Sequence, residues 1–157
     1  MGKVVFLDID GVILPWGVYS HLPFDDMSRK DFIDQVIPLA DPRIVDDLKR
    51  MVLEAEAKFV LISTWRILFD PELLKQYFDG IGLNVDDWFH TDWIADDPYS
   101  PFGGSSKSRS ISNWLREHEY EGDWLLIDDE ADSIMDSLPH IAGGNSIKPA
   151  PREGFKY

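Results

Sequence analysis

The sequence contains no cysteine, and this absence excludes disulfide bonds, thiolate metal sites and a cysteine nucleophile. It also lacks any apolar run approaching the roughly 18 residues that are needed to span a bilayer. The first apolar stretch, residues 4–7, is too short for the core of a signal peptide and leads directly into acidic residues. We therefore expect a cytoplasmic protein without membrane association, and no pattern indicates an obligate protein partner.

Basic residues are also scarce, since 15 Lys and Arg stand against 29 Asp and Glu and give a formal net charge of −14. A chain this acidic repels polyanions at long range, so tight non-specific binding to nucleic acid is not expected. Local basic or aromatic groups can still hold one strand end. The excess acid can simply keep the surface soluble, or it can supply the several carboxylates that a divalent cation site needs.

Three short, apolar segments, in part β-branched, are typical of buried parallel strands. They occupy residues 3–8, 58–62 and 123–127. Other segments carry apolar residues at helical spacing, and these predict helices over residues 42–55, 71–80, 108–117 and 131–138. Residues 85–89 predict a brief strand, the Pro- and Gly-containing residues 91–106 predict irregular structure, and the tail predicts an edge strand with a loop.

Alternating strands and helices imply right-handed crossovers, which build a parallel sheet covered by helices on both faces. We therefore predict one α/β domain over residues 1–157, with three layers and a Rossmann-like central parallel sheet. In such sheets ligands bind beyond the carboxyl ends of the strands. The three strong strands end in polar residues that suit phosphate chemistry, namely Asp8 and Asp10, Ser63 and Thr64, and Asp128 and Asp129. These side chains should converge on one crevice.

The sequence Asp8-Ile-Asp10-Gly11 follows the first strand. In an extended strand end, residues two apart point the same way, so both carboxylates can face one pocket. Two carboxylates in one crevice repel each other unless a cation or a shared proton lies between them. A magnesium ion between Asp8 and Asp129 would relieve this repulsion and bind a phosphate oxygen, and Gly11 permits a sharp turn away from the site. On its own, the pattern more often marks a strand exit with solvated aspartates.

Three further polar positions each allow two interpretations. The Ser63 hydroxyl can donate a hydrogen bond to a phosphate oxygen, or it can serve as a turn or helix cap. Lys107 follows a Gly-rich stretch at the start of a helix, where its ammonium can neutralise phosphate and aspartates or simply face solvent. The pair Asp128-Asp129 at a buried strand end is costly to desolvate without a cation, although one of the two can instead cap the next helix.

These signals follow one another along the chain as Asp-x-Asp, Ser/Thr, Lys and Asp-Asp, each at a strand end or a helix start. In this order and placement the chain resembles the haloacid dehalogenase (HAD) superfamily, and the resemblance covers residues 6–132. It implies a HAD fold and a two-step transfer in which Asp8 attacks phosphorus and forms an aspartyl phosphate. Asp10 would protonate the leaving oxygen and then deprotonate the water that releases phosphate. Ser63 and Lys107 would hold and neutralise the phosphoryl oxygens.

The same resemblance implies a Mg²⁺ cofactor. Asp8, Asp129 and the backbone carbonyl of Asp10 would hold the ion, with Asp128 as a further candidate ligand. The dehalogenases of the superfamily generally lack the second aspartate and the metal, so Asp10 favours phosphate chemistry over cleavage of a carbon–halogen bond. The expected function is therefore that of a magnesium-dependent phosphomonoester hydrolase, which is a phosphatase.

Members of the superfamily differ mainly in their cap domains, and here at most residues 15–39 remain for a small cap insertion. A nearly capless site is open to solvent and suits a large substrate, because the substrate itself must exclude water. The motifs Leu7-Asp-Ile-Asp-Gly-Val-Ile13 and Leu61-Ile-Ser-Thr-Trp-Arg66, with the tail at residues 148–154, are similar to small phosphatase domains of multidomain RNA-repair proteins and some phage proteins. The net acidity of this chain is unfavourable for an RNA substrate.

Residues beside the motifs are candidates for substrate binding, namely Trp16, Thr64, Trp65 and Arg66. The two tryptophans can stack on a base, an interaction worth roughly 1–3 kcal/mol, although tryptophan is more often a core residue. Arg66 can bind a second phosphate. Three hypotheses follow: a phosphatase for a nucleic-acid end or a nucleotide, a phosphatase for another small phosphoester, and a catalytically silent binding or regulatory module. The intact set of motif residues argues against the third.

Overall fold

The structure is a computed structural model that describes residues 3–97, 107–138 and 143–157. Its strands are β1 (Lys3–Leu7), β2 (Ala57–Leu61), β3 (Phe89–Ile94), β4 (Trp124–Ile127) and β5 (Gly144–Ile147). Its α-helices are α1 (Arg29–Val36), α2 (Pro42–Ala55), α3 (Trp65–Leu68), α4 (Pro71–Gly80), α5 (Val85–Trp88), α6 (Lys107–Glu117) and α7 (Ala131–Asp136). Two 3₁₀ helices, Phe24–Asp26 and Ile37–Leu39, flank α1. Among the described residues, none of the helices combines the length and the apolar character that crossing a bilayer requires.

In the described part of the chain, five strands form one parallel sheet in the order β3-β2-β1-β4-β5. The side chains of the central strand β1 alternate between two hydrophobic clusters. Val5 and Leu7 belong to the cluster under α1, α2 and α4, whereas Val4 and Phe6 belong to the cluster under α6 and α7. Burial on both faces explains why the strands read as continuous apolar runs. The predicted three-layer, Rossmann-like α/β fold with a parallel sheet is confirmed, as is an edge strand in the tail.

Local signals place two helix starts where the sequence predicts them. Helix α2 begins at Pro42, and the Asp41 side chain caps it by accepting a hydrogen bond from the backbone N–H of Arg43 at 2.9 Å. Helix α4 begins at Pro71 and is capped by the Asp70 side chain at 3.0 Å. In both helices the buried apolar residues recur at helical spacing, so one face of each helix packs on the core.

The segment between α4 and α6 differs from the prediction. Residues Val85–Trp88 form the helix α5 where a brief strand is predicted, since two aspartates in the first turn stabilise a helix N-terminus. The strand β3 then covers residues 91–94, which the sequence predicts to be irregular. Four of its six residues, Phe89, Thr91, Trp93 and Ile94, are of types that favour strands, and pairing with β2 adds to this preference at the sheet edge. Residues 98–106 of the predicted irregular stretch lie outside the described residues.

Residues 15–39, the candidate cap segment, form short helices that rest on the main core. Helix α1 begins after Ser28, whose side chain accepts a hydrogen bond from a backbone N–H of the first turn at 3.0 Å. The helix packs against α4. Its buried residues Phe32, Ile33 and Val36 belong to the same hydrophobic cluster as β1 and α2. The segment is therefore anchored through the apolar face of α1.

Parallel pairing brings several candidate site residues to one edge of the sheet. Leu7 at the end of β1 is aligned with Leu61 of β2 and with Ile127 of β4. Asp8 and Asp128 directly follow two of these aligned residues. Adjacent strands therefore deliver the two carboxylates side by side, at the edge where parallel sheets bind ligands.

Candidate active site

Three carboxylates form a compact cluster at the carboxyl ends of β1 and β4. One carboxylate oxygen from each of Asp8, Asp128 and Asp129 lies within 4.8 Å of the other two. All three residues are buried, with exposures of 3%, 0% and 9%. In the described residues this is the one group of three or more acidic or histidine side chains close enough to share a metal ion. The structure thus brings together three residues that the sequence predicts as metal ligands, and their ligand role stays a prediction.

The ammonium of Lys107, at the start of α6, lies beside this cluster. Its Nζ is 2.7 Å from Oδ2 of Asp128 and 3.4 Å from Oδ2 of Asp8. Burial lowers the pKa of the Lys107 ammonium, but the carboxylates of Asp8 and Asp128 raise this pKa by more, so the net shift is upward. Lys107 is therefore protonated at neutral pH and opposes the negative charge of the aspartates.

The charge balance of the cluster fits a divalent cation. Burial raises the pKa of the Asp8 carboxyl well above its ordinary value; Lys107 acts in the opposite direction, and Asp128 raises this pKa further. Burial and the charge of Asp128 likewise raise the pKa of Asp129. Because three carboxylates share the ammonium of Lys107, the buried group carries excess negative charge when all are ionised. A hard cation such as Mg²⁺ would compensate this charge, and oxygen atoms are the ligands that it prefers.

The turn after Asp10 leaves room for the cluster. Gly11 has a φ of +78°, a left-handed backbone conformation that residues with a side chain rarely adopt. A Cβ atom at this position would lie 2.8 Å from Cγ of Asp129. Glycine is therefore required twice, for the turn itself and for the space that Asp129 occupies. The turn predicted at Gly11 is confirmed.

The carboxylate of Asp10 is not a member of the cluster and has two hydrogen-bond donors of its own. The Tyr19 hydroxyl donates to Oδ1 at 2.6 Å, and the indole N–H of Trp65 donates to Oδ2 at 3.1 Å. Burial raises the pKa of the Asp10 carboxyl, the bonds from Tyr19 and Trp65 lower it, and the net shift is upward. The predicted metal ligand of Asp10 is its backbone carbonyl, and this role stays a prediction.

Tyr19 is a site residue that no sequence pattern indicates. It lies within residues 15–39, which the motifs define only as a candidate cap. The sequence indicates it only through its separation of nine residues from Asp10, which is short enough for the chain to return to this carboxylate. This separation permits the contact but does not specify it, because the neighbouring residues of the segment are as close along the chain.

The stacking role predicted for Trp65 is wrong. Its side chain is buried in the core, with 2% exposure. The ring packs against Phe32, Phe69 and Tyr77, whose ring centroids lie 5.7, 5.3 and 5.0 Å away. A ring enclosed in this way offers no face to a base, and Trp65 reaches the site only through its N–H group, which donates to Asp10.

The phosphate contact predicted for Arg66 is also wrong. Its side chain is 1% exposed, and its guanidinium is used inside the protein. It donates to the backbone carbonyls of Ile62, Ser63 (2.9 Å) and Ala95 (3.0 Å), and to Oγ of Ser110 (2.9 Å). Arg66 therefore ties the end of β2 to the segment after β3 and to α6, and it is not available to a substrate.

Ser63 is fully buried after β2, and its Oγ accepts a hydrogen bond from the backbone N–H of Trp65 at 3.2 Å. This bond is the turn cap that one interpretation of the sequence predicts. A hydroxyl that accepts one hydrogen bond still has its own proton to donate. Donation to a phosphate oxygen therefore stays a prediction for Ser63.

A cavity of about 530 Å³ opens beside these groups. It is lined by Asp8, Asp10, Trp16, Thr64, Lys107, Ser108, Asp129, Glu130, Ser133, Ile134 and Ser137. Trp16 is 55% exposed, so of the two candidate tryptophans it is the one that can meet a substrate. The substrate-binding roles of Trp16 and Thr64 stay predictions.

A parallel sheet with aspartates clustered at the ends of its central strands, and with a lysine from a helix start beside them, defines a HAD-type domain. The family described as the HAD domain in Swiss Army Knife RNA repair proteins matches residues 4–157, and the chain belongs to this family. The resemblance drawn from the motifs is thus confirmed. No curated protein and no solved structure matches the chain significantly.

Proposed function

We propose that the chain is a magnesium-dependent phosphatase that hydrolyses phosphomonoesters through an aspartyl phosphate on Asp8. The observation that supports this most directly is the environment of Asp8, which lines the cavity, contacts the Lys107 ammonium and shares the carboxylate cluster. Membership of the HAD family supports the same class of reaction. In this reaction Asp8, Asp10, Lys107 and Ser63 each take part in the phosphoryl transfer.

In the first step an oxygen of Asp8 attacks phosphorus, and the bond from phosphorus to the leaving oxygen breaks with its electron pair on that oxygen. Asp10 gives its proton to the leaving oxygen. Burial raises the pKa of the Asp10 carboxyl, which favours the protonated form that this step needs. Lys107 and the Ser63 hydroxyl hold and neutralise the phosphoryl oxygens.

In the second step water attacks the phosphorus of the aspartyl phosphate, and the bond to Asp8 breaks to release phosphate. Asp10 accepts a proton from this water and so returns to the form that begins the next turnover. The chemistry that Mg²⁺ supplies when held by Asp8, Asp128, Asp129 and the Asp10 carbonyl is Lewis-acid polarisation of the phosphoryl oxygens.

As substrate we propose a phosphorylated nucleic-acid end or a nucleotide. The exposed ring of Trp16 on the cavity wall can stack on a base next to the phosphate. The family to which the chain belongs is described from RNA repair proteins, which supports this substrate class. Because a net charge of −14 repels a long polyanion, we expect contact with the strand end alone.

A second candidate substrate is another small phosphoester. Three serines line the cavity, namely Ser108 in α6, Ser133 in α7 and Ser137 directly after α7. Hydroxyl groups of this kind can bind the hydroxyls of a sugar phosphate as well as those of a ribose. The third candidate is a catalytically silent HAD-fold module, and it predicts that the wild-type chain hydrolyses no phosphomonoester.

The reaction is tested with p-nitrophenyl phosphate and Mg²⁺. We expect hydrolysis that EDTA abolishes and that Asp8→Asn reduces by more than about 10³-fold, because the nucleophile is lost. Asp46→Asn changes an exposed aspartate of α2 and is the matched control, with activity expected at the wild-type level. Hydrolysis that persists in Asp8→Asn would exclude the aspartyl phosphate, and no hydrolysis by the wild type would favour the silent module.

The substrate is tested by comparing kcat/KM across three groups of phosphoesters. These groups are oligonucleotides phosphorylated at the 3′ or 5′ end, mononucleotides, and sugar phosphates. We expect the nucleic-acid ends or the mononucleotides to exceed the sugar phosphates, because only the former present a base to Trp16. A preference for sugar phosphates would favour the second candidate.

A further inference from the structure

Both oxygens of the Asp10 carboxylate receive hydrogen bonds from neutral donors that lie in separate parts of the chain. The Tyr19 hydroxyl comes from residues 15–39, and the Trp65 indole comes from the start of α3, 55 residues after Asp10. We propose that Tyr19 and Trp65 are positioning residues that fix the Asp10 carboxyl group in the orientation required for proton transfer. The inference rests on the proposed function, in which Asp10 is the acid and the base.

The two donors are themselves fixed by packing. The Tyr19 ring packs edge-on against Phe32, with ring centroids 5.4 Å apart, and Phe32 in turn contacts the Trp65 ring at 5.7 Å. The backbone N–H of Trp65 also donates to the buried Oγ of Ser63. The buried Trp65 and the half-buried Tyr19 are each restricted in rotamer by these contacts, so each can hold its hydrogen-bond partner in one place.

The chemistry of the donors suits a group that must gain and lose a proton. Each carboxyl oxygen has two lone pairs, so one donor on each oxygen leaves a site where the transferred proton can reside. A cationic partner would stabilise the ionised carboxylate more strongly than a neutral donor does. Neutral donors fix the orientation with a smaller bias against the protonated form. An error of about 1 Å in the position of such a group can cost on the order of 10²-fold in rate.

This proposal gives residues 15–39 a function that differs from that of a lid. The segment brings Tyr19 to the carboxylate, and the buried face of α1 anchors it through Phe32. The segment therefore acts as a support for the acid, since the Tyr19 hydroxyl that it carries donates directly to the Asp10 carboxylate.

A merely structural role for these bonds makes a different prediction. If Tyr19 only satisfies a buried carboxylate, its loss weakens the fold and lowers the rate with every substrate by the same factor. If it positions the acid, the loss depends on the leaving group, because a basic leaving oxygen needs the proton more than an acidic one does. The dependence of kcat/KM on the leaving group therefore separates the two roles.

The test uses Tyr19→Phe, which removes the hydroxyl and keeps the ring. We expect kcat/KM to fall about tenfold or more for an alkyl phosphate, whose leaving oxygen is basic, and by less than about threefold for p-nitrophenyl phosphate. Tyr77→Phe is the matched control. Its hydroxyl is buried in the same aromatic group and, among the described residues, is without a hydrogen-bond partner. We expect this control to match the wild type with both esters.

The outcomes are distinguishable. Equal losses with the two esters, no loss, or an equal response in Tyr77→Phe would overturn the inference and leave the proposed function standing. A wild-type chain that hydrolyses neither ester ends the proposed function, and the inference with it. If circular dichroism shows that Tyr19→Phe does not fold, Trp65→Phe provides the same comparison, because it removes the other donor to Asp10.

Discussion

The two walls of the candidate active site hold their aspartates in different ways. On the charged wall, defined by Asp8, Lys107, Asp128 and Asp129, three carboxylates share an ammonium and carry excess negative charge. On the aromatic wall, defined by Asp10, Trp16, Tyr19 and Trp65, the carboxylate accepts two hydrogen bonds from neutral groups. The charged wall thus carries more negative than positive charge. On the aromatic wall the Asp10 carboxylate is hydrogen-bonded by neutral donors instead of an ion-pair partner.

This difference separates two tasks that one crevice must perform in the proposed reaction. A wall with uncompensated carboxylates has affinity for a cation and hence for the phosphate that the cation binds. A wall with neutral donors can hold a carboxyl group without committing it to one protonation state. Variants that alter the partners of the carboxylates on only one wall should therefore affect metal binding or proton transfer, but not both equally.

Removing the ammonium of the charged wall should have the largest effect on stability. In Lys107→Met the buried carboxylates lose a partner, so we expect the free energy of unfolding without Mg²⁺ to fall by about 3–5 kcal/mol. Added Mg²⁺ should then stabilise the variant by more than the wild type, for which tenfold excess over Kd contributes about 1.4 kcal/mol. Urea unfolding with EDTA and with Mg²⁺ measures both effects.

The control for this variant is Lys30→Met, which removes an exposed ion pair with Asp34 on α1. Such a pair contributes less than about 0.5 kcal/mol, so the control should unfold as the wild type does and should respond equally to Mg²⁺. Equal stabilisation of Lys107→Met and the wild type by Mg²⁺ would contradict the view that the ammonium and the cation compensate the same carboxylates.

Two glycines near the site share a left-handed backbone conformation but differ in their surroundings. Gly11 faces Asp129 on the charged wall with φ +78°, whereas Gly17 follows Trp16 with φ +85° and has no atom within 4 Å of a built Cβ. Gly17→Ala should therefore cost only the backbone strain, about 1 kcal/mol. Gly11→Ala adds a steric clash with Asp129, for a total of about 2–3 kcal/mol.

The two alanine variants should also differ in their response to the metal. Displacement of Asp129 in Gly11→Ala should reduce the increase in melting temperature that Mg²⁺ produces, while Gly17→Ala should retain it. Thermal unfolding with and without Mg²⁺ measures this. If both variants respond to Mg²⁺ as the wild type does, Asp129 is not a ligand of the ion.

The charged wall could be predicted from the sequence, because its geometry follows from rules that hold for any parallel sheet. Asp8 and Asp128 directly follow buried strands, and parallel strands end at the same edge. A glycine after Asp10 similarly indicates a turn from its residue type alone. These positions depend on short stretches of chain, each of which marks where a buried strand ends.

The aromatic wall could not be predicted in the same way, since its contacts depend on which side chains the core encloses. Trp65 and Arg66 adjoin a motif and have chemistry that suits a ligand, yet both are buried by distant residues. Tyr19 is brought to Asp10 by the packing of Phe32, which no local pattern encodes.

The smallest expected effect concerns Trp16, the exposed residue of the aromatic wall. In Trp16→Ala a base next to the phosphate loses its stacking partner, so KM for a mononucleotide or an oligonucleotide end should rise about fivefold, which corresponds to roughly 1 kcal/mol. KM for a sugar phosphate should not change, and neither should kcat, because the indole does not take part in proton transfer. Steady-state kinetics on the two substrate groups measure the difference.

The control is Leu53→Ala, which removes another exposed apolar side chain, on α2 and away from the cavity. It should leave KM unchanged for both groups of substrates. An equal rise in KM for sugar phosphates and nucleotides in Trp16→Ala would mean that the indole excludes water from the cavity without recognising a base. In that case the aromatic wall would support the acid and shield the site, and the preference for a nucleic-acid end would have to arise elsewhere.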